Sequence, residues 1–169
     1  MTKVDAIAVG TEAPEFELPS SDLGDNGKPG RKVRLSDYRG KKNVLLAFFP
    51  LAFSPVCTSE NMCLGKMFAP AHGPDDAQVL GVSVDSAWTL AAFKKDLGLT
   101  YPLLADFHPK GAVAKQYGLY LEESGITARA TVIVGKDGKV AFVKVQQLPD
   151  PRDSNEISRF LRAMSASQP

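Results

Sequence analysis

Cys57 is the residue of this sequence that is best placed to act as a nucleophile. It follows Ser54 by three residues and Pro50 by seven, in the pattern P-x-x-x-[ST]-x-x-C. A cysteine reacts as its thiolate, so its surroundings must stabilise negative charge on the sulfur. The alternative interpretation is a purely structural role, in which Cys57 is a small, buried, apolar residue. The secondary structure predicted around Cys57 decides between the nucleophilic and the structural interpretation.

Residues 43–60, NVLLAFFPLAFSPVCTSE, predict a buried strand, a short loop and the start of a helix. The strand is an unbroken apolar run, as in strands buried on both faces. Pro50 ends it, because proline has no N–H for a sheet ladder. Ser54, followed by a proline, predicts a capped helix N-terminus with Cys57 in the first turn. The positive end of the helix dipole favours a thiolate there, and the Ser54 hydroxyl is expected to donate to the sulfur or to a bound oxygen.

Composition indicates an ordinary globular protein, expected to form one domain over residues 1–169. The chain is 44% hydrophobic and 23% charged, which suits a proper core. Its net charge of +1 offers no field for nucleic acid or an anionic membrane. No stretch resembles a secretory segment or approaches the roughly 18 apolar residues of a membrane span. We therefore expect a cytoplasmic protein whose two cysteines are reactive or free rather than bridged.

Strand and helix patterns alternate along the chain, which favours α/β architecture with a partly parallel sheet. The order of elements is that of the thioredoxin fold, so the predicted class is a thioredoxin-like fold with an N-terminal β-hairpin extension. The predicted elements around the central strand are a hairpin of residues 16–18 and 32–35, a helical turn over 36–40, the Cys57 helix to about residue 70, a loop over 71–76, a strand over 78–84, a helix over 87–97 capped by Asp85 or Ser86, an extended piece over 101–106, a helix over 110–117, a hairpin of 129–134 and 139–145, and a helix from about Asp153.

Beyond the cysteine motif, longer stretches resemble the AhpE-like, one-cysteine branch of the peroxiredoxins, in the AhpC/TSA family. These are FFPLAF before Cys57 and YPLLADFHPKGAVAKQYGLYLEESGITARATVIV, which begins at Tyr101. The resemblance extends from about Val9 to Val145. It implies a thiol peroxidase that reduces hydrogen peroxide and organic hydroperoxides through a sulfenic acid on Cys57, with no metal, haem, flavin or other cofactor.

The resemblance also implies which residues form the site. It brings Pro50, Ser54, Cys57 and Arg129 together, with Pro50 holding the loop against water and Ser54 binding peroxide oxygens. Arginine is always cationic and presents a fork of donors, so Arg129 would stabilise the thiolate and the charge that moves across the breaking O–O bond. Glu60 also fits the family pattern and would orient its neighbours. Without the family, Arg129 is an ordinary arginine before a strand and Glu60 a charge on a solvated helix face.

Cys63 is the only other cysteine and the candidate resolving thiol. Six residues along an α-helix correspond to about 9 Å of rise and roughly 240° of rotation, which leaves the Cα atoms about 10 Å apart. Disulfides rarely exceed about 7 Å between Cα atoms. A bridge to Cys57 therefore needs local unwinding, although helix ends open at low cost. A related branch of the family places a resolving cysteine in this helix, one residue closer.

Two enzymatic alternatives thus stay open. In the first, an external reductant recycles Cys57: a small-molecule thiol, a mycoredoxin- or glutaredoxin-like protein, or thioredoxin. In the second, Cys63 resolves Cys57 in an atypical two-cysteine, thioredoxin-dependent enzyme. An alternative of another class is a non-catalytic binding or chaperone module on a thioredoxin fold.

The resemblance implies a homodimer, and neither a nucleic-acid nor a membrane partner is expected. No metal site is predicted, because His72, His108 and the two cysteines match no zinc spacing. Both histidines are expected to lie at the surface or in packing.

Overall fold

The computed structural model describes residues 3–69 and 73–168 and contains each of the strands and helices that the sequence predicts. Its helices are α1 (Pro55–Met67), α2 (Ala87–Leu97), α3 (Ala112–Gln116) and α4 (Ser154–Ser167), with a 3-10 turn at Leu35–Tyr38. Its strands are β1 (Glu17–Pro19), β2 (Lys32–Arg34), β3 (Asn43–Phe48), β4 (Ala77–Ser83), β5 (Leu103–Ala105), β6 (Tyr120–Leu121), β7 (Ile126–Thr127), β8 (Arg129–Val134) and β9 (Val140–Gln146).

A mixed sheet of five strands, in the order β5-β4-β3-β8-β9, forms the centre of the molecule. β3, β4 and β5 are parallel, whereas β8 and β9 are antiparallel to their neighbours. The central strand β3 is buried along its whole length, which confirms the prediction from its apolar run. The expected N-terminal hairpin is present as β1 paired with β2. The architecture is therefore α/β and thioredoxin-like.

The two faces of the sheet bury separate apolar clusters. Because side chains alternate along a strand, β3 contributes Leu46 and Phe48 to one cluster and Leu45 to the other. The second cluster also contains Cys57 and residues of α1, α2 and α4. Helix α1, which carries Cys57, thus packs on one face of the sheet, between β3 and α4.

The helix signals of α2 are confirmed at both ends. Ser86 rather than Asp85 is the cap, since its hydroxyl accepts a hydrogen bond from the backbone N–H of Thr89. Gly98 ends the helix in the left-handed conformation, with φ of 63°. Capping chemistry therefore defines both ends of this helix locally.

Two predicted features differ from the structure. The Cys57 helix ends at Met67 instead of near residue 70, because the proline at position 70 disfavours a helical conformation of the residue before it. Residues 70–72, which include His72 and the start of the predicted loop, lie outside the described residues. The small hairpin of β6 and β7 was not predicted, since two-residue strands are too short to show an alternating pattern. No helix within the described ranges is long and apolar enough to cross a membrane.

Gly81 of β4 gives the neighbouring side chains room to pack beneath α1. A Cβ atom at this position would lie 2.5 Å from Leu103 Cδ2 and 3.3 Å from the ring of Phe49. The ring of Tyr101 would lie 3.7 Å from the same atom. The missing side chain therefore lets Leu103 and the ring of Phe49 approach the strand, with the ring of Tyr101 at an ordinary contact distance.

Candidate active site

Cys57 lies in the first turn of α1, as predicted, and its side chain is fully buried. It packs in the apolar cluster with Phe49 and Leu64. Its Sγ lies 3.5 Å from Nη1 of Arg129. The sulfur therefore faces both a helix N-terminus and a guanidinium, and each of these stabilises a thiolate.

Arg129 is held in this orientation by the chain that follows β9. It is the first residue of β8, and its Nε and Nη2 donate to the carbonyl oxygen of Leu148 at 3.0 and 2.8 Å. The remaining nitrogen, Nη1, contacts Cys57 and forms an ion pair with the carboxylate of Glu60. The planar fork of the guanidinium thus serves three partners at once, which a lysine cannot do.

Glu60 also binds a second buried arginine, Arg152. The backbone N–H and Nε of Arg152 donate to Glu60 Oε1 at 3.2 and 3.1 Å, and Nη2 lies 3.3 Å from Oε2. Arg152 further donates to the carbonyl oxygens of Phe48 and Ala130, both at 2.8 Å, and to the Thr131 hydroxyl at 2.9 Å. The alternative that Glu60 is a solvated charge is wrong, since the residue is only 2% exposed.

The charges of this cluster do not balance without the sulfur. Arg129 and Arg152 carry two positive charges and Glu60 one negative charge, and none of the three is more than 5% exposed. A buried charge without a partner is costly. A negative charge at the sulfur, beside Arg129, would balance the cluster.

The loop before Cys57 differs from the prediction at Ser54. Ser54 occupies the cap position, but its side chain makes no capping hydrogen bond. Its hydroxyl donates instead to the carbonyl oxygen of Leu51, 2.9 Å away, so the predicted bond to the sulfur is also not formed. The cause is a tight turn through Phe53, with φ of 67°, between the two residues. The first-turn N–H groups of α1 thus have no acceptor from this serine and can bind an anionic oxygen.

The same loop is fixed by Asp85, at the end of the neighbouring strand. Asp85 Oδ2 accepts hydrogen bonds from the backbone N–H of Ala52, at 2.8 Å, and from the Ser83 hydroxyl, at 2.7 Å. Pro50 is buried where the loop leaves β3. The path from Pro50 to Ser54 is therefore set by β3 and β4 together.

Cys63 is not brought to Cys57. Both thiols are free, and both belong to the continuous helix α1. Cys57 is buried, whereas Cys63 is exposed to solvent. Within residues 3–69 and 73–168, no group of three or more His, Cys, Asp or Glu side chains could hold a metal ion.

Three further residues near Cys57 are buried and hydrogen-bonded around α1 but were not predicted from the sequence: Arg152, Asn61 and Tyr101. The only local signal for Arg152 is its place after two prolines and before the capping Asp153, where an arginine is usually at the surface. Asn61 offered a weak signal, since it is a polar residue one turn after the reactive cysteine. Their importance comes from partners that are distant in sequence.

The central place of Glu60 leads to a stability prediction. Glu60→Gln should lower the free energy of unfolding by about 3–5 kcal/mol, because two buried guanidinium groups lose their negative partner. Glu156→Gln is the matched control: it breaks the pair with Lys144 at the surface and should cost less than about 1 kcal/mol. Urea unfolding followed by circular dichroism measures both. Equal losses in the two variants would contradict the role given to Glu60.

Comparison with known proteins gives the family. Residues 9–143 match the sequence profile of the AhpC/TSA family. The chain is 37% identical over 160 residues to alkyl hydroperoxide reductase E of Mycobacterium tuberculosis, a match that covers 95% of this chain and 99% of that protein. It is 36% identical over 162 residues to peroxiredoxin-2 of Bos taurus, which covers 92% and 77%.

Solved structures of the same family share the fold. The reduced 2-Cys peroxiredoxin of Plasmodium vivax superposes with a TM-score of 0.80 at 33% identity, over 94% of this chain and 82% of that one. AhpC of Mycobacterium tuberculosis also gives a TM-score of 0.80, at 25% identity over 95% and 99%. The chain therefore belongs to the AhpC/TSA family and is a peroxiredoxin, a thiol-dependent peroxidase.

Proposed function

We propose that Cys57 is the nucleophile with which this peroxidase reduces hydrogen peroxide and organic hydroperoxides. The supporting observation is the 3.5 Å approach of Arg129 Nη1 to a buried sulfur, within a cluster that carries one surplus positive charge. Both features favour the thiolate, which is the reactive form. A binding module with a silent cysteine is not favoured, because a silent cysteine has no need of a buried cation beside it.

The reaction forms one bond and breaks another. The Cys57 thiolate attacks the terminal oxygen of the hydroperoxide, and the S–O bond forms as the O–O bond breaks. The leaving oxygen takes a proton and departs as water or an alcohol, while the sulfur becomes a sulfenic acid. Arg129 stabilises the negative charge as it moves from sulfur to oxygen. Ser54 turns from the Leu51 carbonyl to a peroxide oxygen, and Pro50 shields the loop from water.

An external reductant then restores the thiolate. Peroxiredoxins are reduced by thiols or thioredoxin-type partners, and for this chain we assign a small-molecule thiol, a mycoredoxin- or glutaredoxin-like protein, or thioredoxin. The reason is geometric: in the unbroken helix α1, the six-residue spacing holds the Cα atoms of Cys57 and Cys63 about 10 Å apart. Two free thiols also suit a reducing compartment such as the cytoplasm.

One equivalent of hydrogen peroxide tests the nucleophile and the fate of its product. Wild-type protein and Cys63→Ser should each gain one oxygen, or, when dimedone is present and displaces that oxygen as water, one dimedone group on Cys57, whereas Cys57→Ser should gain neither. Intact-mass spectrometry with peptide mapping reads the result. Peroxide consumption by Cys57→Ser would refute the assignment of Cys57. A wild-type product that has lost two hydrogens, and that is absent from Cys63→Ser, would instead show that Cys63 resolves the sulfenic acid.

Arg129→Lys tests the electrostatic role of the guanidinium. The variant keeps the positive charge but loses the fork that contacts Leu148, Glu60 and Cys57, so the rate constant of Cys57 with peroxide should fall about 100-fold or more. Arg159→Lys, at an exposed position of α4, is the matched control and should react at the wild-type rate. Stopped-flow oxidation at pH 7, on variants with native circular dichroism, measures the effect. A rate within about twofold of wild type would remove Arg129 from the transition state.

We also propose a homodimer. Its interface is the surface at the C-terminal ends of the parallel strands β3, β4 and β5. Four large apolar side chains, each 42–62% exposed, follow these strand ends: Leu51 and Phe53 after β3, Trp88 after β4 and Phe107 after β5. Several exposed apolar side chains at one end of a sheet are typical of protein interfaces. Phe53 also packs on the buried Phe93, with ring centroids 5.0 Å apart, which holds part of this surface in place.

Trp88→Glu should therefore convert a dimer to a monomer at micromolar concentration. Val9→Glu is the matched control. Val9 is equally exposed, at 61%, but lies next to the start of β9, at the opposite end of the strands. Sedimentation velocity measures the oligomeric state of both variants. A monomeric wild-type protein, or dissociation by Val9→Glu alone, would rule out this interface.

A further inference from the structure

A chain of buried hydrogen bonds connects the main chain of Cys57 to Tyr101. Nδ2 of Asn61 donates to the carbonyl oxygen of Cys57 at 2.8 Å. The Tyr101 hydroxyl lies 2.7 Å from Oδ1 of Asn61 and 3.2 Å from its carbonyl oxygen, and donates to them. Asn61 and Tyr101 are only 2% and 4% exposed. The proposed peroxide chemistry uses neither side chain.

Such groups are not ordinary core residues. A buried amide or hydroxyl costs free energy unless it is hydrogen-bonded, and here each group depends on the other for a partner. Burial raises the pKa of Tyr101, so its hydroxyl stays protonated and remains a donor throughout the physiological range. Tyr101 itself is fixed from the sheet, because it lies two residues before β5 and packs in the apolar cluster on that face.

These contacts determine how easily the first turn of α1 can open. In an α-helix, a carbonyl accepts the backbone N–H of the residue four positions later. The Cys57 carbonyl has the Asn61 side chain as an additional donor. Opening of the turn must therefore break this bond as well, and it leaves an amide buried without its partner.

We infer that Asn61 and Tyr101 are positioning residues that keep the first turn of α1 closed, and thereby hold Cys57 beside Arg129 and away from Cys63. The inference rests on the proposed function and explains how two cysteines share one helix without forming a bridge. If the turn opens after oxidation, the Cys63 thiol attacks the sulfenic sulfur of Cys57. The S–S bond then forms as the S–O bond breaks, and the departing oxygen leaves as water with the thiol proton.

Hydrogen exchange in the reduced protein tests the restraint itself. Tyr101→Phe should speed amide exchange over residues 57–61 about tenfold, the effect of losing one hydrogen bond. Tyr117→Phe is the matched control: it also removes a buried hydroxyl, which donates to the Pro14 carbonyl at 2.8 Å, but in the cluster on the other face of the sheet. It should leave exchange over 57–61 unchanged. No change in Tyr101→Phe, or an equal change in both variants, would overturn the inference.

A second arm measures the chemical consequence. After one equivalent of hydrogen peroxide, Tyr101→Phe should contain several-fold more Cys57–Cys63 disulfide than wild type, and adding Cys63→Ser should abolish it. Asn61→Leu should behave like Tyr101→Phe, and the double variant should be no worse than either, because both residues act in one chain of bonds. Faster exchange without additional disulfide would refute the separation of Cys57 from Cys63. Failure of wild-type Cys57 to oxidise would refute the proposed function but leave the exchange result standing.

Discussion

Two arginines buried beside one glutamate are the constraint on which the surroundings of Cys57 depend. Arg129 comes from the start of β8, Arg152 from the segment before α4, and Glu60 from α1. Burial of these charges is tolerated only if each finds partners, and main-chain carbonyls from the strand ends satisfy the guanidinium donors. The cluster thus joins the sheet, α1 and the C-terminal segment. Because a thiolate on Cys57 would complete its charge balance, the proposed reactivity of this cysteine and the attachment of these elements to one another depend on the same cluster.

The parts of the fold that the sequence predicts are those whose causes are local. An unbroken apolar run is enough to mark β3, and the signals at Ser86 and Gly98 define both ends of α2. A serine and a proline likewise place Cys57 in a first turn. Arg129 is different: its residue type and position alone gave no reason to bring it to the sulfur, and only the resemblance to a family did so.

The rest of the site could not be predicted, because its causes are distant in sequence. Arg152 and Glu60 are 92 residues apart, and Tyr101 and Asn61 are 40 residues apart. Each member of these pairs is unremarkable until its partner is known. The prediction for Ser54 was wrong for another reason: a bond to the sulfur and a bond to the Leu51 carbonyl both need the one hydroxyl proton, and the turn through Phe53 brings the Leu51 carbonyl within reach. Propensity scales contain no information about that competition.

The buried sulfur must satisfy two opposing requirements. Arg129 stabilises it best when the first turn of α1 is closed, yet a reductant larger than a peroxide must reach an atom that is fully buried in that state. The two ends of the turn differ in a way that meets both needs. At its start, the Ser54 side chain makes no capping bond that holds the turn closed. At Asn61 the helix is tied to Tyr101 and hence to the sheet. Opening of the turn that carries Cys57 must break the bond from Asn61 to the Cys57 carbonyl, whereas the bond from Tyr101 to Asn61 can persist and keep the helix beyond Asn61 in place.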